Sequence, residues 1–298
     1  MMDYDALIIG AGHNGLTCAA YLAMNGLRVK VVERRKVVGG AAVTEEFHPG
    51  FRNSVAAYTV SLLNPQIIAD LDLASHGLRI VERRAQNFLP AQDGASYLLT
   101  GEGRTYQSLA KLSERDALRI DDFNRELESI ADVLRQFVLR APPNVVEGLT
   151  LNALREAYNA LETGNILRHL SIEHQRLLLD LFTWSAGEML DGWFESDLLK
   201  ALFGFDAIVG NYASPYTAGS AYVMLHHAFG EVNGKKGLWG HAIGGMGAIT
   251  QAMAASARGH GAEIETGAGV QEVIVERGPA AGVVLDDGRT IRARYVAS

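Results

Sequence analysis

The hydrophobic pattern resolves first at the N-terminus. Residues 5–9, Asp-Ala-Leu-Ile-Ile, form a short apolar run that predicts a buried parallel strand. A glycine turn over Gly10–Gly15 follows. Residues 15–25 then place Leu16, Ala19, Ala20, Leu22 and Ala23 at helical spacing, and Gly26 suits the left-handed stop. Residues 28–33 predict a second strand ending on Glu33. Together these make one βαβ unit of a doubly wound sheet.

Beyond it, residues 37–62 are glycine-rich and aromatic without clear period, and read as an ordered functional loop. A short helix is expected over 64–74. Strands are expected over 78–84, 86–91 and 95–100, with Asp93-Gly94 turning between the last two. Residues 107–140 are strongly helical, with Ser113 and Asp116 spaced like a capping box, and Pro142-Pro143 ends the stretch. Helical periodicity resumes over 149–208, including Leu177–Leu181. Residues 211–245 return to Gly, Tyr, His and Trp. A helix over 246–259 stops before Gly261. Three strand patterns close the chain at 269–276, 281–286 and 289–297, with a turn at Asp286-Asp287-Gly288.

The expected fold class is therefore α/β: a Rossmann-like domain with a parallel sheet, a small β-meander, and a largely helical middle. The 298 residues, 48% hydrophobic, are enough to bury a real core. A net charge of -7 without a basic block argues against nucleic acid as a partner. The single cysteine, Cys18, excludes an internal disulfide or a dithiol redox pair, and its expected place is a small buried position beside the sheet. No apolar run reaches the roughly 20 residues of a membrane span. The N-terminus shows no signal or transit segment, which makes a cytoplasmic location the plain expectation. Peripheral membrane contact and self-association stay open.

The candidate chemistry lies in Gly10-Ala11-Gly12-His13-Asn14-Gly15, a G-x-G-x-x-G string between strand and helix. Gly10 permits the tight turn, Gly12 lets backbone approach a pyrophosphate, and Gly15 lets helix and strand pack closely. The helix N-terminus offers free N–H groups and partial positive charge to that phosphate, with Ala11 and Asn14 beside it. Glu33 is placed to accept from both ribose hydroxyls and to repel a 2′-phosphate.

The run continues Glu33-Arg34-Arg35-Lys36-Val37-Val38-Gly39-Gly40-Ala41-Ala42. A terminal acid, five residues and a glycine pair resemble the two-dinucleotide-binding-domain flavoproteins, which include amine oxidases and phytoene desaturases. The resemblance is greatest to the phytoene-desaturase-like branch, with its pyridine nucleotide-disulfide oxidoreductase domain 2 members. It is carried by Phe47-His48-Pro49-Gly50-Phe51, Leu225-His226-His227-Ala228-Phe229-Gly230 and Gly237-Leu238-Trp239-Gly240, leading to Gly244-Gly245-Met246-Gly247. It implies FAD as cofactor, with Gly39, Gly40, Ala41 and Ala42 near the diphosphate, Arg35 near the adenine, Arg34 among the cofactor-binding residues, and Val270 contacting adenine through its backbone. Many members have Gly-Arg after the glycine pair, where this chain has Ala41-Ala42.

The resemblance further implies a discontinuous FAD-binding domain, 1–75 plus 240–298, around a substrate-domain portion at 76–239. It implies a C-terminal remainder beyond Ser298, so that the chain reads as an N-terminal fragment of its parent, or as a short variant completed by another polypeptide. The implied activity is transfer of hydride from an apolar or amine small molecule to the flavin, with an unidentified electron acceptor. Tyr58, His226 and Trp239 are candidates for the substrate or flavin cavity, against ordinary packing. No residue stands out as catalytic, and no ligand spacing predicts a metal site. Two rival readings are an NAD-dependent dehydrogenase and a non-catalytic nucleotide-binding scaffold. Glu33 suits FAD and NAD alike, whereas the Gly39-Gly40 extension favours FAD.

Overall fold

The computed structural model describes residues 2–101, 103–144 and 151–298. They form two compact units: Met1–Glu82 with Glu231–Gly234 and Leu238–Ser298, and Arg83–Gly230 with Lys235–Gly237.

In chain order, the first unit holds β1 (Tyr4–Ile9), α1 (His13–Met24), β2 (Val29–Glu33), β3 (Thr44–His48), β4 (Phe51–Ser54), α2 (Pro65–Asp70) and β5 (Ile80–Glu82). It resumes with β8 (Glu231–Val232), β10 (Gly240–Ala242), α10 (Gly247–Gly259), β11 (Glu263–Thr266), β12 (Val270–Val275), β13 (Ala280–Leu285) and β14 (Thr290–Ala297). Its main sheet has the order β11-β2-β1-β14-β13-β12. The first four strands are parallel, and β12-β13-β14 is an antiparallel meander. Strand β14 belongs to both parts. Thr290–Arg292 pair with β13, while Ala293–Ala297 pair with β1.

Alternation along β1 and β2 sorts the core, because successive strand side chains point to opposite faces. Ala6, Ile8, Val29 and Val31 bury themselves with Leu16, Ala19 and Ala20 of α1 and Ala254 and Ala257 of α10. Leu7 and Val32 join Val283, Leu285, Ile291 and Ala293 on the other face. Gly26, at φ +81°, ends α1 as expected, with Leu27 N–H returning to Leu22 O at 3.2 Å.

Three expectations need correction here. Cys18 is exposed. The buried stripe of α1 is Leu16, Ala19, Ala20 and Ala23, and Cys18 lies about 200° round the helix from Leu16 at 3.6 residues per turn. Residues 37–62 are not aperiodic throughout: β3 and β4 pair as a hairpin turned at Pro49-Gly50, with Gly50 at φ +81°. Strand β11 was not expected at all.

The second unit holds β6 (Asn87–Pro90), β7 (Tyr97–Thr100), α3 (Thr105–Ala110), α4 (Glu114–Arg135), α5 (Leu151–Arg168), α6 (Ile172–Thr183), α7 (Ala186–Trp193), α8 (Asp197–Asp206), α9 (Ser220–His227) and β9 (Lys235–Lys236). Positions 149 and 150 of the expected helical stretch lie outside the described residues. Phe123 organises the core, with the rings of Trp193, Phe194 and Phe203 edge-on at 5.3, 5.0 and 5.0 Å.

The helical stretch predicted over 107–140 divides at Ser113. Helix α3 stops at Ala110, two turn residues follow, and Ser113 is extended (φ −156°), its hydroxyl accepting from Asp116 N–H at 3.1 Å to start α4. Asp116 is not the return half of a capping box. Its fully buried carboxylate accepts from Glu195 N–H and Ser196 N–H, the latter at 2.7 Å, and so secures the entry to α8. Among the described residues, no helix is long and apolar enough to cross a membrane.

Candidate nucleotide site

The carboxyl ends of β1 and β2 carry the glycine turn and the acid. Gly10 sits at φ +99° and donates to Val32 O at 2.8 Å, so the turn leaves β1 while still tied to β2. Gly12 is the N-cap of α1. It has no side chain, the first turn contains no acid, and no side-chain cap bonds there. The free N–H groups and the positive end of a twelve-residue helix thus remain available to an anion.

Gly15 explains itself sterically: a Cβ there would stand 2.2 Å from Gly10 O and 3.3 Å from Ile8 Cγ2. Asn14 is exposed on the same first turn, and Ala11 is fully buried.

The glycine pair closes on this turn from the other side. Gly39 N–H donates to Ala11 O at 2.8 Å, and Gly12 and Gly39 form a parallel bridge. A Cβ on Gly40 would meet Gly12 Cα at 3.2 Å. Gly39 and Gly40 have φ values of +136° and +55°. Backbone lies against backbone here, with no side chain between. Ala41 is exposed at the surface of the resulting 3-10 turn, and Ala42 is buried beneath it.

Glu33 is buried at the end of β2. Its Oε2 accepts from Ala11 N–H and its Oε1 from Arg35 N–H, each at 2.8 Å. One carboxylate therefore fixes both the glycine turn and the departure from β2. Each oxygen keeps a further lone pair for a ligand hydroxyl. Arg35 forms an ion pair with Glu45 of β3. Arg34 is exposed, and its Cγ lies 3.5 Å from the point a Cβ on Gly269 would occupy. Gly267 N–H and Ala268 N–H donate to Arg35 O and Glu33 O at 2.8 and 2.9 Å, which brings the approach to Val270 alongside. Val270 is half-buried at the start of β12.

The remaining candidates lie elsewhere. Tyr58 is exposed, its carbonyl accepting from His241 Nδ1 at 3.1 Å, and Trp239 is half-buried beside the Val60–Gly240 bridge. His226 belongs to the second unit, on α9, with Phe229 and His227 rings at 5.7 and 5.9 Å. Burial, aided by His227, holds its imidazole below the ordinary histidine range, so it is neutral near pH 7. The sequence reading passed over Thr44, Ser54 and Thr250, which contact the glycine-pair segment and α10. A signal was present: α10 begins at Met246-Gly247, with no capping side chain of its own.

The donor set fits the ADP half of FAD. The uncapped helix end, the cradle at Gly12 and Gly40 that a Cβ would crowd, and the acid at the end of β2 suit diphosphate and ribose in turn.

The chain is 41% identical over 312 aligned residues to the pyridine nucleotide-disulfide oxidoreductase domain-containing protein 2 of Rattus norvegicus, covering 99% of this chain and 53% of that protein. It is 25% identical over 297 residues to a phytoene desaturase of Cercospora nicotianae, covering 98% and 44%. A solved structure of putrescine oxidase shares the fold with a TM-score of 0.59 at 21% identity, covering 99% and 57%. The chain thus spans about half the length of the curated relatives it matches. Residues 15–298 match the flavin containing amine oxidoreductase family, and the chain belongs to that family, whose cofactor is FAD.

Proposed function

We propose that this chain binds the ADP portion of FAD at the Gly10–Gly15 turn and serves an FAD-dependent oxidoreductase acting on an apolar or amine small molecule. One observation supports the reading above the others. The uncapped N-terminus of α1 faces the side-chain-free surface made by Gly12 and Gly40. A diphosphate there meets N–H donors and no Cβ. Gly10, Gly12, Asn14 and Gly15 then border the phosphates, with Gly39, Gly40 and Ala41 opposite; Ala11, fully buried with its N–H on Glu33, and Ala42, buried beneath the 3-10 turn, back the two walls instead of touching the ligand.

Glu33 orients the ribose through its spare lone pairs while its backbone bonds keep it fixed. Arg34, Arg35 and Val270 border the adenine. The flavin, when bound, supplies the hydride-accepting chemistry. Tyr58 and Trp239 in the first unit, and His226 in the second, are each proposed as a substrate- or flavin-contacting residue. The second unit, Arg83–Gly230 with Lys235–Gly237, is proposed as part of the substrate domain, its edges drawn in from the expected 76–239 because 76–82, 231–234 and 238–239 belong to the first unit. No residue is assigned to proton transfer.

The test is a spectrum. The protein, purified and incubated with FAD, should show flavin absorbance that dithionite bleaches. A colourless protein that takes up no FAD would sink the proposal.

A further inference from the structure

Helix α10 starts without a capping side chain of its own. Its N-cap residue is Met246, in helical conformation and with no side-chain oxygen. The exposed N–H groups at such an end need partners. Ala248 N–H and Ile249 N–H turn back to Gly245 O and Met246 O, and the two before them, on Met246 and Gly247, find partners in the hairpin that follows the glycine pair. Gly247 N–H donates to Thr44 Oγ1 at 2.9 Å, and Met246 N–H donates to Ser54 Oγ at 3.0 Å. Thr44 and Ser54 stand opposite each other as the first residue of β3 and the last of β4. The base of the hairpin is thus bolted across the helix end at two points.

The approach is close enough to dictate sequence on the helix side. A Cβ on Gly245 would lie 2.5 Å from Thr44 Oγ1, and one on Gly247 would lie 2.8 Å from Thr44 N. Gly245 is also at φ +81°. The Gly244-Gly245-Met246-Gly247 string, which the nucleotide reading leaves unused, is accounted for by this contact.

Thr44 is also tied to the nucleotide side, four residues after Gly40. Thr250 Oγ1, buried in α10, donates to Gly247 O at 3.1 Å and reaches Ala42 O at 3.4 Å. A Cβ on Gly39 would stand 3.0 Å from that same Oγ1. Helix α10 therefore touches both ends of the Gly39–Thr44 segment.

We propose that Thr44, with Ser54, is a positioning residue: its hydroxyl fixes the Gly39–Ala42 turn against Gly12 by capping α10. The proposal rests on the reading of that turn as the diphosphate wall, and names what holds the wall in place.

Thr44→Val keeps the side-chain shape and deletes the acceptor; Thr44→Ser restores it. Amide hydrogen exchange over Gly39–Ala42 is read in the ligand-free protein, and FAD affinity by flavin fluorescence quenching. Thr44→Val should speed exchange of those amides and weaken FAD by roughly three- to tenfold, the scale of a lost cap. Thr44→Ser should restore both, and the melting temperature should fall too little to explain either. Unchanged exchange over Gly39–Ala42 in Thr44→Val, or failure of Thr44→Ser to restore it, overturns the proposal. The exchange readout needs no ligand. If the wild-type protein takes up no FAD, the cofactor reading falls while the exchange result still decides this one.

Discussion

The carbonyl oxygen of Gly10 occupies the space in which Gly15 would carry a Cβ, 2.2 Å from its ideal position. Strand and helix meet there backbone to backbone. Gly15→Ala must push α1 away from β1, and overpacking of this kind costs ~1–3 kcal/mol. The variant should melt earlier and retain less FAD than the wild type. An alanine variant with unchanged melting temperature and full flavin content would contradict the close-packing role.

Glu33 joins the turn to the strand through Ala11 N–H and Arg35 N–H. Glu33→Ala leaves two N–H groups without an acceptor. Glu33→Gln keeps one oxygen but turns an amide donor toward the other. Both should lose stability, the alanine variant by about 1–3 kcal/mol, and both should hold FAD less tightly. Titration with FAD, alongside a urea melt, checks the pair. Lost stability with undiminished FAD affinity would confine Glu33 to structure.

The βαβ unit was legible because each of its parts is local. The run of Leu7, Ile8 and Ile9, the glycine turn and the spacing of Leu16, Ala19, Ala20 and Ala23 sit within twenty-five residues. The glycine turn of the candidate site was legible for the same reason. What depends on distant partners was not. Strand β11, Glu-Ile-Glu-Thr, is short and half charged, and only pairing with β2 makes it a strand. The hairpin of β3 and β4 has exposed aromatics and little buried surface, so no alternation marked it. Thr44 and Thr250 lie some two hundred positions apart and look like ordinary hydroxyl residues until the fold joins them to one turn.

Cys18 shows how helical angle overrides residue type. Its thiol faces outward from α1, and partial desolvation raises its pKa. The native protein should react with a thiol reagent to one equivalent per chain without denaturant. The rate should climb as pH rises past the ordinary thiol range, since the thiolate is the nucleophile. Reaction only after unfolding would restore the buried assignment.

Asp116 is fully buried, yet its carboxylate is occupied by Glu195 N–H and Ser196 N–H. Asp116→Ala strands both donors beside Ser113 and should cost about 3 kcal/mol, while Asp116→Asn, with one acceptor oxygen left, should cost less. Urea midpoints give the comparison. An alanine variant as stable as wild type would mean that the entry to α8 is held by packing alone.

Asp206 gives the second unit a pH dependence of defined sign. Burial pushes its carboxyl up to about 6 from 3.8, against the opposing charge of nearby His227. The unfolded chain ionises near the ordinary value while the folded protein still holds the proton. Between those two values the unfolded state binds fewer protons than the folded one, so stability falls as pH rises. Above about pH 6 both states are ionised and the cost is fully present, roughly 3 kcal/mol for a carboxyl held up at about 6. Asp206→Asn has no proton to lose. It should therefore gain stability relative to wild type from pH 4 to pH 7 and hold that gain at pH 8, with little difference below pH 4. Chemical unfolding at pH 4 and pH 8 measures it, and a wild-type-minus-variant difference that is flat across that range would show that Asp206 ionises as freely in the fold as in water.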